Sequence, residues 1–146
     1  MPNEFSGIER RLDELNERLA RLDPLQEKGR EAFDADPYLR DIVERNLEIC
    51  AQCCIDICHR IIVLENAQKP VDYYQAILMM GELGVLSADF AHRLAPLAGL
   101  RNILTHEYLG INWDHVYKNL QNLDDLIEFA EEIRRWLSIK GERSLD

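Results

Sequence analysis

The sequence has few helix breakers and few cations. Seven glycines and five prolines in 146 residues leave long stretches without backbone interruption. There is no apolar–polar alternation of the kind a half-buried strand shows, no internal repeat and no low-complexity tract. These absences point to an all-α fold. Lys and Arg number 17 against 27 Asp and Glu, for a net charge of −10 and a pI of about 4.8. A broad grip on nucleic acid requires cations that neutralise phosphates, so DNA binding is not expected and any RNA contact has to be local. No apolar run approaches the ~20 residues that cross a bilayer. The opening MPNEFSGIERRLDEL has neither the basic nor the apolar region of a secretory leader, so a cytoplasmic protein is expected, with no membrane partner.

Cysteine is confined to one stretch, CAQCCIDIC, which holds Cys50, Cys53, Cys54 and Cys58. Cys50, Cys54 and Cys58 step by four and share a helical face. Zinc sites draw on a second Cys pair or on His farther along the chain, and no second pair exists. The thiols read as small buried apolar groups in a reducing cytosol, and neither a metal nor a cofactor is expected.

What is present is helical periodicity. Ile8, Leu12, Leu15, Leu19, Leu22 and Leu25 recur at steps of three and four, predicting an N-terminal amphipathic helix within residues 1–33 that Pro24 kinks or breaks. Asp36 as N-cap and Pro37 at the first helical position open a second helix, apolar over much of its circumference through Leu64. Asp56 and His59 fall inside that apolar run, on a wet seam or hydrogen-bonded within the bundle. A third helix begins at VDYYQAILMMGELG, and Ser87 caps a fourth, ADFAHRLAPLAGLRNILTHEYLG, which Pro96 kinks and Gly110 ends. Asn112 caps the last, and residues 140–146 read as a frayed tail. The whole chain, 1–146, is a single domain: an antiparallel bundle of about five helices.

The end of the fourth helix, RNILTHEYLG, concentrates chemistry: Arg101, Asn102, His106 and Tyr108 within eight residues. Histidine titrates nearest neutrality, so His106 suits removal of a proton from a ribose 2′-OH or its delivery to a leaving oxygen. Arg101 offers a permanent planar charge for a phosphate, Asn102 a polar contact, and Tyr108 a hydrogen bond or a stacking face. Five residues apart, Arg101 and His106 lie roughly 140° apart on an ideal helix, and one His is thin for an acid–base pair. A two-fold dimer would place two of each in one cleft. The same turn has a purely structural reading, with His106 on the helix dipole, Arg101 paired with a surface carboxylate and Tyr108 packed. Residue types and spacing leave both open. Arg93, Lys118, His92 and His115 are further basic groups for a local RNA contact.

RNILTHEY has the form Arg-x4-His-x-Tyr. With the flanking VDYYQAILMMGELGVLSADFAHRLAPLAGL and INWDHVYKNL, and with RNLEICAQCCIDICHRII in the second helix, it resembles the HEPN superfamily, in particular the HepT-like toxins of HepT–MntA toxin–antitoxin modules. The resemblance spans about half to two-thirds of the chain. It implies a homodimeric helical bundle and a metal-independent endoribonuclease toxin of a type II or type VII-like module. Arg101 and His106 of both subunits would form the cleft, with Asn102 assisting. It also implies a minimal nucleotidyltransferase antitoxin, MntA-like, that neutralises the toxin by AMPylating Tyr108. The superfamily's other implication is a non-catalytic adaptor that docks such a nucleotidyltransferase.

Overall fold

The computed structural model describes residues 4–106 and 109–145. Tyr108, the expected modification site, lies outside the described residues. Among the described residues eight helices follow in order: α1 (Ser6–Gln26), α2 (Gly29–Ala35), α3 (Pro37–Leu64), α4 (Tyr73–Glu82), α5 (Ala88–Leu94), α6 (Leu97–His106), α7 (Trp113–Gln121) and α8 (Asp124–Leu145). There is no strand among the described residues. The five expected helical regions are all present, three of them broken once.

The spine is α3, 28 residues long and about 42 Å at 1.5 Å per residue. Its start is locally encoded. The Asp36 carboxylate accepts from the backbone N–H groups of Tyr38 and Leu39 at 3.0 and 3.3 Å, and Pro37 stands where its missing donor costs nothing. Beyond that turn, Val43, Leu47, Cys50, Cys54, Ile57, Cys58 and Ile61 are all buried, so α3 packs against α1, α2, α4, α6 and α7. The stripe Ile8, Leu12, Leu15, Leu19, Leu22 seals α1 against it. Cross-helix contacts set the direction. Arg11 meets Asp56 and Arg18 meets Asn46, so α1 and α3 run antiparallel.

Three breaks depart from the sequence expectation. Pro24 lies inside α1, which continues to Gln26; the chain turns instead at Gly29, whose φ of +84° is a conformation that side chains disfavour. At Pro96 the fourth region divides into α5 and α6 rather than bending. The last region divides at Asn122, where Leu123 turns into the core and is 2% exposed. Gly110 is not the left-handed cap expected of it, since it does not have a positive φ. Within the expected tail, α8 runs to Leu145, and Lys140 pairs with Glu65 at 2.8 Å while lying over the Trp136 ring.

All four cysteines are free and buried in this core. Burial pushes the Cys50 and Cys58 thiols up to about 12 and Cys53 to about 11. Thiolate ligation would therefore have to overcome desolvation first. Among the described residues, no group of three His, Cys, Asp or Glu side chains is placed to hold a metal ion.

Candidate active site at the end of helix α6

Helix α6 buries Ala98, Leu100 and Leu104, which turns Arg101 and Thr105 towards α3. Two polar stripes meet there. On α3, Glu48, Gln52 and Asp56 recur at steps of four; on α6, Thr105 donates its hydroxyl to Glu48 at 3.4 Å and Arg101 donates its Nε–H to Gln52 Oε1 at 2.7 Å. Descending residue numbers on α6 against ascending ones on α3 make this pair antiparallel as well. The contact is therefore a polar seam inside an apolar packing, and it fixes how far α6 slides along α3.

Arg101 is held on three sides. Gln52 takes Nε, the Asn102 side-chain oxygen takes Nη1 at 3.2 Å, and the Tyr73 ring from the first turn of α4 lies under the guanidinium at 5.2 Å. A guanidinium has five N–H donors. Two are used, so the remaining three, on Nη1 and Nη2, face no protein acceptor among the described residues and suit a phosphate oxygen pair. Asn102 gives its oxygen to Arg101, which leaves its amide N–H groups free to donate to the same anion.

His106, the last residue of α6, is exposed, and no hydrogen bond to a described residue ties its ring. The structure thus places Arg101, Asn102 and His106 on one short helix and joins the first two directly, while no hydrogen bond among the described residues links His106 to Arg101. Two neighbouring cavities take in neither Arg101 nor His106. One, of about 380 Å³, is lined by Arg11, Asp56, His59 and Arg60; the other, of about 310 Å³, by Arg93, Ile103, His115 and Asn119. Of the further basic residues, Arg93 is occupied by Asp125 and Glu128 on α8 at 3.3 and 3.1 Å. His92, Lys118 and His115 are exposed, and the described hydrogen bonds and ring contact of Arg101 go to Gln52, Asn102 and Tyr73 instead.

Gln52 and Tyr73 are the site neighbours that motif reasoning passes over. The signal in the sequence is the spacing Glu48, Gln52, Asp56, His59 on an otherwise apolar helix, of which only Asp56 and His59 stand out by type. His59 satisfies itself within α3, its Nδ1 3.1 Å from the Ile55 carbonyl, with its ring edge-on to Tyr73 at 5.5 Å between centroids.

Residues 8–133 match the model of the family described as Ribonuclease HepT-like. The chain belongs to the HepT-like ribonuclease family. A HepT-like relative, the tRNA nuclease HepT of Aphanizomenon flos-aquae, is 32% identical over 115 residues, covering 75% of each chain. Another, the mRNA nuclease HepT of Shewanella oneidensis, is 29% identical over 103 residues, or 70% of this chain and 77% of that protein. The same architecture occurs in solved structures. A tri-AMPylated HEPN toxin of Shewanella oneidensis, in complex with MNT antitoxin, superposes with a TM-score of 0.79 at 25% identity, over 89% of this chain and 98% of that one. The cytosolic protein YutE of Bacillus subtilis shares the fold at a TM-score of 0.80 and 19% identity, over 92% and 91%.

Proposed function

We propose that this HepT-like chain is a metal-independent endoribonuclease toxin, acting as a homodimer in the cytoplasm and neutralised by a minimal nucleotidyltransferase antitoxin. The observation that carries the reading is the state of Arg101: oriented by Gln52, Asn102 and Tyr73, yet with three donors and its charge unpaired among the described residues, on the same short helix as an exposed histidine. A structural arginine would be expected to pair its charge with a carboxylate.

In the proposed reaction, neutral His106 of one protomer removes the ribose 2′-OH proton and the 2′-oxygen attacks phosphorus. Protonated His106 of the second protomer gives its proton to the departing 5′-oxygen, leaving a 2′,3′-cyclic phosphate and a 5′-hydroxyl. Arg101 and the Asn102 amide take the non-bridging oxygens, whose negative charge grows as the fifth bond forms. The dimer supplies what one chain lacks, a second histidine. Tyr38 and Ile42, 80% and 51% exposed on α3, are apolar groups for a partner copy to cover.

Arg101→Ala and His106→Ala should each abolish cleavage of tRNA and of an mRNA transcript while leaving the far-ultraviolet circular dichroism and melting temperature near wild type. Full cleavage by either variant refutes the assignment. Regulation is proposed at Tyr108, whose hydroxyl would attack the α-phosphate of ATP on the nucleotidyltransferase, releasing pyrophosphate. The added adenylyl phosphate, two residues from His106, would repel an RNA phosphate. Intact mass and peptide mapping after co-expression check this, and an unmodified Tyr108 in neutralised toxin counts against it. The net charge of −10 favours a second reading, a non-catalytic adaptor docking the nucleotidyltransferase. A dimer that binds that partner and leaves both RNAs intact would support it.

A further inference from the structure

We propose that Gln52 is a positioning residue for Arg101, and that its neutrality is the point: it fixes the guanidinium without consuming its charge. The inference rests on the ribonuclease reading above and concerns a residue outside the Arg-x4-His-x-Tyr motif. Gln52 stands on α3, half-buried, between two groups of opposite hydrogen-bonding capacity. Its Nε2 donates to Asp56 Oδ1 at 2.7 Å, and its Oε1 accepts from Arg101 Nε at 2.7 Å. A carboxylate only accepts and a guanidinium only donates, so the amide has a single orientation that satisfies both neighbours. Asp56 is itself anchored, its other oxygen 3.5 Å from Arg11 Nε on α1.

The relay Arg11, Asp56, Gln52, Arg101 thus ties three helices together and ends at the group that meets the phosphate. A glutamate at position 52 would orient Arg101 equally well and would also neutralise it. The glutamine keeps the negative charge one residue farther along the relay, where Arg11 offsets it. Tyr73 lies under one face of the guanidinium and Gln52 holds its Nε, which leaves the Nη edge for an anion. A guanidinium prepared in this way loses little freedom when the transition state forms.

The test uses the full-length dimer and two readouts, the Nε–H proton resonance of Arg101 with its solvent-exchange rate, and steady-state cleavage of tRNA and an mRNA transcript. Gln52→Leu keeps the volume and removes both hydrogen bonds. It should shift the Arg101 Nε–H signal, speed its exchange and lower kcat about tenfold, with KM changed less than about threefold. The double variant Q52E/D56N exchanges the amide and the carboxylate, so that the new amide donates to the new carboxylate, which in turn accepts from Arg101. It should restore slow Nε–H exchange and most of kcat while raising KM severalfold, because charge now sits against Arg101. A residue needed only for folding would lower the melting temperature without this split between kcat and KM. An unchanged Arg101 resonance in Gln52→Leu overturns the proposal whatever the turnover. An inactive Arg101→Ala beside a Gln52→Leu enzyme of wild-type kcat overturns positioning and leaves the ribonuclease reading standing. Wild-type cleavage by Arg101→Ala overturns both.

Discussion

Lysine at position 101 would keep the charge and lose the geometry, because an ammonium has no counterpart to the Nε that Gln52 holds at 2.7 Å and no planar face to lay on Tyr73. Arg101→Lys is therefore expected to cut RNA about a hundredfold more slowly than wild type with an unchanged melting temperature. Near-wild-type kcat would show that charge alone suffices. The cysteines invite a different measurement. With Cys50 and Cys58 pushed up to about 12 by burial, the native chain should react with a thiol reagent only on the timescale of unfolding, and all four thiols should appear in denaturant. Rapid native labelling would contradict the core packing. Glu44 carries a pH signature. Its burial on α3, with Glu48 nearby, raises its pKa above the ordinary carboxylate value. Between the two values the folded chain binds more protons than the unfolded one, so this group's contribution to stability falls as pH rises through that window. Glu44→Gln should melt higher than wild type at pH 7, and the advantage should vanish below about pH 4.

At the scale of the element, the cap of α3 gives a direct prediction. Asp36→Ala removes two accepted hydrogen bonds from an exposed helix start and should cost about 1 kcal/mol, read as a lower urea midpoint with an unchanged slope. The caps at Asp36, Ser87 and Asn112 are legible from sequence because each is settled among four consecutive residues. The breaks are less so. Asn122 and Leu123 interrupt a pattern that periodicity alone would continue: Asn122 leaves the helical conformation and Leu123 is buried in the core between the two helices. The tail, polar by composition, stays helical where Lys140 reaches Glu65 on the turn that ends α3. The candidate site divides in the same way. Arg101, Asn102 and His106 announce themselves by type and spacing, whereas Gln52 meets Arg101 across 49 residues of chain and has no local mark. A glutamine on a helix is ordinary until the opposite helix supplies an arginine with nothing else to hold its Nε.

For the molecule as a whole, the decisive property is that one chain offers one exposed His106 at the end of α6, while neither neighbouring cavity encloses it with Arg101. Two constraints follow for RNA. With a net charge of −10, the chain as a whole repels a polyanion, so few phosphates are gripped. The slope of log(kcat/KM) against log salt should then be shallow, about −0.7 for each phosphate neutralised and no more than about two or three such contacts in all. The second constraint concerns symmetry. If each protomer cut with its own histidine, a dimer of one wild-type and one His106→Ala chain would keep half the activity. If the cleft uses one histidine as base and the other as acid, removing either removes the reaction. Such heterodimers, isolated by two different affinity tags after co-expression, should therefore fall more than about tenfold below wild type, by the usual size of a lost general acid or base. Retention of half the activity would assign a complete site to each chain and dissolve the argument for a shared cleft.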